Sequence, residues 1–169
     1  MALPVNRNVT FSPSDPIPSV LLNALQDSLI GFKHPELIEY YAAAAFAAFG
    51  TANLSGGFWT SSSANQFYCP LPYPVGCRIT QMSAAYRVGV TAGASCQLFL
   101  RRRNYATPTV APDIIATMAA DTTDNAAGES STVAAINHTI VAGYLYDLQF
   151  TVNTTGSILY GANVGRDRL

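Results

Sequence analysis

Short stretches in which apolar and polar residues alternate, each closed by glycine or proline, fill the chain from Gln66 onward. Between Tyr144 and Val152, for example, every second residue is aromatic or aliphatic, and Asp147, Gln149 and Thr151 lie between them. A period of two places alternate side chains on opposite faces of a strand. About seven or eight such stretches, spaced by roughly 8–14 residues, predict a mainly β fold: an antiparallel β-sandwich or jelly roll.

The longest predicted strand, Cys77 to Val90, has two candidate faces. One holds Cys77, Ile79, Gln81, Ser83 and Ala85, and the other holds Arg78, Thr80, Met82, Ala84 and Tyr86. In the next strand the expected inward residues are Cys96, Leu98 and Leu100, or else the residues between them. The remaining predicted strands are 66–71, 113–120, 130–141, 144–152 and 157–164, with a brief strand at 58–60 inside a loop from residue 50 to 65. Residues 36–49 fit either a helical turn or a strand.

The first 35 residues have a different pattern. Proline interrupts an extended arm, and a short amphipathic helix is predicted over about residues 16–30, with Asp15 as N-cap and Gly31 at its end. One face of this helix carries Ile17, Leu21, Leu22, Leu25 and Leu29. We therefore predict two parts: residues 1–35, an arm and helix for anchoring or oligomerisation, and residues 36–169, the β-sandwich domain.

Charged residues are scarce and unevenly placed. They make up 11% of the chain, where soluble globular chains average roughly 25%. The 38 residues between Glu39 and Arg78 include no Asp, Glu, Lys or Arg. A domain of this size cannot bury so long a segment entirely. Either copies of the chain or a partner cover this surface, or Ser, Thr, Asn and Gln keep it soluble; we favour the covered surface.

Composition also argues against several classes of protein. The net charge of -1 does not suit a nucleic-acid binder, which needs a basic face. No apolar run is long enough to span a membrane. The three cysteines, Cys69, Cys77 and Cys96, form no paired motif. A bridge between Cys69 and Cys77 is conceivable, but we expect buried free thiols.

No constellation of residues indicates catalysis. The two histidines, His34 and His138, are far apart in sequence, and a triad of His138 with Asp147 would lack a recognisable nucleophile motif. Ligand spacings for zinc and glycine-rich phosphate loops do not occur. We therefore expect a protein that is not an enzyme and that needs no metal or other cofactor.

Four further residues are candidates for an interface. Arg101 and Arg103 share one side of a predicted strand, where they could discourage unwanted edge pairing or form ion pairs between subunits, with Asp113, Glu129 and Asp147 as candidate acceptors. Phe58 and Trp59 follow two glycines. Trp59 could anchor a partner or fill the core beneath a loop.

The layout resembles that of small virion proteins of tailed phages. The resemblance rests on the arm from Pro4 to Ser14, the helix, the stretch LPYPVGCRIT at 71–80, which looks like the lead into a strand in such sandwiches, and the ending from Tyr144 to Val164, which looks like their closing hairpin. It implies a structural role in the virion: capsid decoration, head fibre or tail component. It also implies a homo-oligomer, often a trimer, that is assembled in the host cytoplasm and docks onto another virion protein.

A second hypothesis keeps the same fold. In a carbohydrate- or receptor-binding module, Trp59, Tyr73, Tyr105 and Tyr144 could stack on sugar rings of a surface glycan. This hypothesis predicts a concave face with exposed, coplanar aromatic rings.

Overall fold

The computed structural model describes residues 37–123, 129–133 and 135–167, without the side chains of 129–132. The predicted arm and helix, with Ile17, Leu21, Leu22, Leu25 and Leu29, lie outside the described residues. The division into an arm and a sandwich domain therefore stays a prediction. No helix in the described part of the chain is long and apolar enough to cross a membrane.

The described residues form two antiparallel sheets, which confirms the predicted β-sandwich. They contain twelve strands, more than the seven or eight expected. The strands are β1 (Leu37–Ala42), β2 (Ala47–Phe49), β3 (Ala52–Ser55), β4 (Phe58–Ser61), β5 (Asn65–Pro70), β6 (Arg78–Arg87), β7 (Cys96–Asn104), β8 (Asp113–Thr117), β9 (Glu129–Val133), β10 (His138–Thr139), β11 (Tyr144–Val152) and β12 (Ile158–Arg166).

The first sheet is built around β6 and β12, which pair along most of their length. On one side, β9 and β10 pair with β6; on the other, β1 and β4 pair with β12, and β3 pairs with β4. The second sheet has the order β2-β5-β11-β7-β8. The chain crosses repeatedly between the sheets, so most neighbours within a sheet are distant in sequence.

The core lies between the inward faces of the two sheets. Phe150 is at its centre, with ring centroids 5.5 Å from Tyr86 and 6.3 Å from Phe67. The alternation predicted for β7 and β11 is confirmed, because Leu98, Leu100 and Leu148 are fully buried. Cys69, Cys77 and Cys96 are buried free thiols, as expected.

The faces predicted for β6 were wrong over half its length. Ile79 is buried, but farther along the strand Met82, Ala84 and Tyr86 are buried instead of Gln81, Ser83 and Ala85. The register with β12 shifts between Gly165 and Arg166, so that one extra residue of β6 is accommodated in a β-bulge. A bulge of one residue exchanges the two faces of a strand beyond it.

Three shorter segments also differ from expectation. Of the segment 36–49, the described residues 37–49 form both alternatives in turn, as β1, a 3₁₀ turn at Ala43–Ala45, and β2. The loop 50–65 contains β3 in addition to the brief strand that becomes β4. The predicted strand 130–141 is divided into β9 and β10 around Ala135, whose φ of 59° is incompatible with a continuous strand.

The predicted closing hairpin is not a hairpin. β11 lies in the centre of the second sheet and pairs with β5 and β7, whereas β12 lies in the first sheet. The connection 153–157 therefore crosses the core from one sheet to the other. The strands that pair with β11 and β12 all precede them in the chain. β11 lies between β5 and β7, and β12 lies between β6 on one side and β1 and β4 on the other.

Candidate functional site

Part of one lateral edge of the sandwich, formed by β2, β3 and β4, carries no charged side chain, whereas β1 on the same side of the first sheet carries Glu39. β2 is the last strand of the second sheet and β3 is the last of the first, and only Gly50 and Thr51 connect them, so both lie on the same side. We call β2, β3 and β4 (residues 47–61) the uncharged edge. Phe49 and Leu54 on it are 74% and 46% exposed. Across residues 40–77, more than half of the side chains are exposed in the single chain.

The opposite edge of the second sheet is charged. There Arg102 Nε donates to Asp113 Oδ2 of β8 at 2.9 Å, and both side chains are partly open to solvent. Charged residues on edge strands discourage pairing with other chains. The uncharged edge lacks this protection, although its strands of three and four residues are short.

Phe58 and Trp59 are positioned on β4, within the uncharged edge. The Trp59 indole N–H donates to the backbone oxygen of Phe46 at 3.0 Å, and its ring lies 5.8 Å from that of Phe67. Trp59 thus contributes to the core beneath the 43–49 segment. Phe58 is half-buried and packs against Tyr160 with ring centroids 5.7 Å apart. A role for either residue between copies stays a prediction.

Arg101 and Arg103 lie elsewhere, on β7, which β5 and β11 separate from β2. Arg101 is 7% exposed, and its Nε and Nη2 donate to Asp147 Oδ1 at 2.8 and 2.7 Å. Arg103 Nη1 donates to the backbone oxygen of Pro108 at 2.8 Å. All of these contacts form within the single chain. The arginines lie on β7 of the second sheet and Phe58 and Trp59 on β4 of the first, so the structure does not bring the four predicted interface residues together.

An open cleft lies where β5 ends beside the beginning of β11. Its volume is about 560 Å³, within the usual range of small-molecule sites. We call it the tyrosine cleft. Its lining is mostly apolar and consists of Tyr68, Pro70, Leu71, Pro72, Tyr73, Tyr144, Leu145, Tyr146 and Asp147.

Each of three tyrosines in the cleft is backed by a guanidinium group. The distances from guanidinium carbon to ring centroid are 4.8 Å for Arg101 over Tyr68, 4.4 Å for Arg102 over Tyr144 and 5.2 Å for Arg166 over Tyr73. None of these arginines belongs to the lining of the cleft. The rings therefore separate the positive charges from the space that a ligand would occupy.

A polar network fixes Tyr73 from behind. Its hydroxyl lies 2.9 Å from that of Tyr41, which in turn lies 3.2 Å from Glu39 Oε2. Arg166 donates to Glu39 Oε1 through Nε and Nη2, at 2.8 and 2.5 Å. Partial burial opposes ionisation of Glu39, but hydrogen bonds from Arg166, Tyr73 and Tyr41 hold its pKa below the ordinary value. Burial raises the pKa of Tyr41 to about 12, so this hydroxyl stays protonated.

His138 and Asp147 have separate partners. His138 Nε2 lies 3.1 Å from the Tyr146 hydroxyl, which also accepts the backbone N–H of Val141 at 3.2 Å. Burial, and then the charge of Arg102, lower the pKa of His138. In the described ranges, no group of three or more His, Cys, Asp or Glu side chains could hold a metal ion.

Sequence reasoning identified only part of the cleft. Tyr73 and Tyr144 were candidates for sugar stacking and both line it, whereas Trp59 and Tyr105 do not. Tyr68 was missed. The concentration of tyrosine and proline between Tyr68 and Pro74 was a usable signal, but the antiparallel pairing that sets Pro70 opposite Asp147 is long-range.

Comparison with known proteins gives likeness of fold only. No family model and no curated protein matches the chain. Among solved structures, the CBM22-1 and GH10 modules of a Clostridium thermocellum endo-1,4-β-D-xylanase match at a TM-score of 0.49 and 13% identity, over 76% of this chain but 27% of that one. A xylan-binding module, CBM15, matches at 0.49 and 10% over 78% and 97%. The capsid asymmetric unit of cyanophage Pam1 matches at 0.42 and 12% over 99% and 100%. Such remote likeness assigns no function.

Proposed function

We propose that this chain is a non-enzymatic structural component of a phage particle, in which it assembles with copies of itself as a trimer and docks onto another virion protein. The observation that carries the proposal is the uncharged edge with its exposed Phe49 and Leu54. The resemblance of the stretch 71–80 and of the arm to small virion proteins supports a location on the particle.

A second copy is the occupant that best fits the uncharged edge. Large apolar side chains beside neutral polar ones are typical of the buried part of a protein interface, from which charged residues are depleted. Because β2 and β3 have only three and four residues, they offer little backbone for pairing. The association is therefore expected to rest on side-chain packing around Phe49, Leu54 and their neighbours.

The test is the mass of the full-length protein in solution, measured by size-exclusion chromatography with light scattering. The wild type is expected to be an oligomer at micromolar concentration, and Leu54→Glu and Phe49→Glu are expected to shift it to monomer. Ile114→Glu is the matched control, because Ile114 is an aliphatic residue on β8, away from this edge, and its exposure lies between those of Leu54 and Phe49. A wild type that stays monomeric at about 100 µM, well above the micromolar Kd of a modest interface, would contradict self-assembly.

The alternative, a carbohydrate- or receptor-binding module, is favoured by a different observation, the tyrosine cleft. The two functions are compatible, since the cleft and the uncharged edge involve different strands. Assembly explains the distribution of charge along the chain, which the cleft does not explain, and for this reason it is the main proposal.

A further inference from the structure

The tyrosine cleft has the chemistry of a site for an uncharged ligand with flat apolar faces. Three tyrosine rings and Leu145, which is 61% exposed, provide its apolar surface. Each arginine behind these rings is paired with a carboxylate: Arg101 with Asp147, Arg102 with Asp113 and Arg166 with Glu39. No unbalanced charge among the described residues is therefore directed at the ligand.

Asp147 gives the cleft a fixed hydrogen-bond acceptor. Both Arg101 hydrogen bonds go to Oδ1, which leaves Oδ2 as an acceptor within the part of the chain that the structure describes. The Asp147 side chain keeps 21% of its surface exposed, so a ligand can reach it. The ion pair holds the carboxylate in place, because rotating it would leave Arg101 buried without its partner.

From this geometry we propose that the tyrosine cleft binds a neutral oligosaccharide. A pyranose ring has a face of C–H groups that stacks on an aromatic ring and hydroxyl groups that donate to a carboxylate. Tyr144 is suited to stacking, because its side chain lines the cleft, whereas Arg102, which lies over the same ring, lines a separate small pocket and not the cleft. The ion-paired Asp147 accepts a sugar hydroxyl.

A proline-rich peptide fits this cleft less well. Its prolines present carbonyl acceptors without N–H donors, so its groove must supply donors. The hydroxyls of Tyr73 and Tyr146 are engaged with Tyr41 and with His138, respectively. The Tyr68 hydroxyl likewise donates to Gln66, and Asp147 is itself an acceptor, so among the described side chains of the lining the Tyr144 hydroxyl is the donor left for such a peptide. An anionic saccharide is disfavoured because its carboxylates would face Asp147.

Isothermal titration calorimetry on the full-length protein tests the proposal. The probes are cellohexaose, laminarihexaose, xylohexaose and mannohexaose, with hexagalacturonate as the anionic comparator and decaproline as the peptide comparator. At least one neutral hexasaccharide is expected to bind with a Kd below about 1 mM, equivalent to roughly 4 kcal/mol, and more tightly than either comparator.

Variants locate the binding. Tyr144→Ala is expected to weaken it at least about tenfold by removing a stacking surface, whereas Tyr144→Phe keeps the ring and retains most of the affinity. Leu145→Glu changes an exposed residue, so it should fold normally, and it should weaken binding by replacing an apolar contact surface of the cleft with a strongly hydrated charge. Ile114→Glu, an equally exposed aliphatic residue outside the cleft, should have no effect.

Three results would overturn the proposal: no neutral hexasaccharide binds, decaproline or hexagalacturonate binds more tightly than all of them, or binding survives both Tyr144→Ala and Leu145→Glu. Light scattering on the same samples records the oligomeric state. The outcome for the cleft is therefore obtained separately from the outcome for self-assembly.

Discussion

Two neighbouring residues of β7 form ion pairs in very different surroundings. The Arg101 and Asp147 side chains are 9% and 21% exposed, whereas those of Arg102 and Asp113 are 27% and 57% exposed. Removing one partner of a buried pair leaves an uncompensated charge away from water, while water replaces a lost partner at the surface. Asp147 should therefore contribute much more to the free energy of unfolding than Asp113, although their arginine partners are adjacent in sequence.

We predict that Asp147→Ala lowers the free energy of unfolding by about 2–3 kcal/mol, somewhat less than the ~3–5 kcal/mol for a fully buried pair, because Asp147 is partly exposed. Asp113→Ala is the matched control and should cost about 1 kcal/mol or less. Urea unfolding followed by Trp59 fluorescence measures both. Replacing the whole pair, as in Arg101→Met with Asp147→Leu, should recover part of the loss. Equal costs for the two alanine variants would show that burial does not decide the contribution.

At the scale of elements, the β3–β4 hairpin depends on its two glycines. Gly56 and Gly57 have φ values of 61° and 87°, and both central residues of a two-residue type I′ turn require positive φ. A side chain at position 57 would meet nothing within 4 Å, so only the backbone limits substitution there. The conformation of these two glycines thus determines the turn between β3 and β4.

We predict that Gly57→Val destabilises the protein by about 1–2 kcal/mol, the strain of a left-handed conformation in a residue with a branched Cβ. Gly56→Asn should cost less, because asparagine accepts positive φ at the first position of this turn, although a Cβ there would lie 3.1 Å from Phe58 Cε1, so the ring must shift by a few tenths of an ångström. Thermal unfolding compares the two. If both substitutions are tolerated equally, the turn does not have this conformation in solution.

How far the sequence predicted each element depended on whether the deciding contacts were local. The alternation in β7 and β11 was correct, but for β7 it left two faces open, and the structure selects the one with Leu98 and Leu100. The bulge in β6 depends on its pairing with β12, more than 80 residues later in the chain, and no local pattern reveals it. β3 has four residues, three of them exposed, so it shows no periodicity at all.

The same distinction holds for the whole molecule. The absence of charge from the uncharged edge could be read from the sequence, because it is a property of one continuous segment. The tyrosine cleft could not, since it is formed by side chains of β5, the 71–73 segment and β11, which meet only through long-range pairing. Composition predicted the character of the surface, but the position of each aromatic ring required the fold.

The uncharged edge leads to a prediction about salt. Salt shortens the Debye length from roughly 10 Å at 0.1 M to roughly 3 Å at 1 M and so weakens interactions between charges. If copies associate through neutral side chains, sodium chloride should therefore change their affinity little. Sulfate should strengthen the association, because it favours the burial of apolar surface. We expect the dissociation constant, measured by sedimentation equilibrium, to change less than about twofold between 0.1 and 1 M NaCl and to decrease in ammonium sulfate. A dissociation constant that rises tenfold with NaCl would instead place the interface at charged residues such as Arg78 or Arg103, and Leu54→Glu would then leave the oligomer intact.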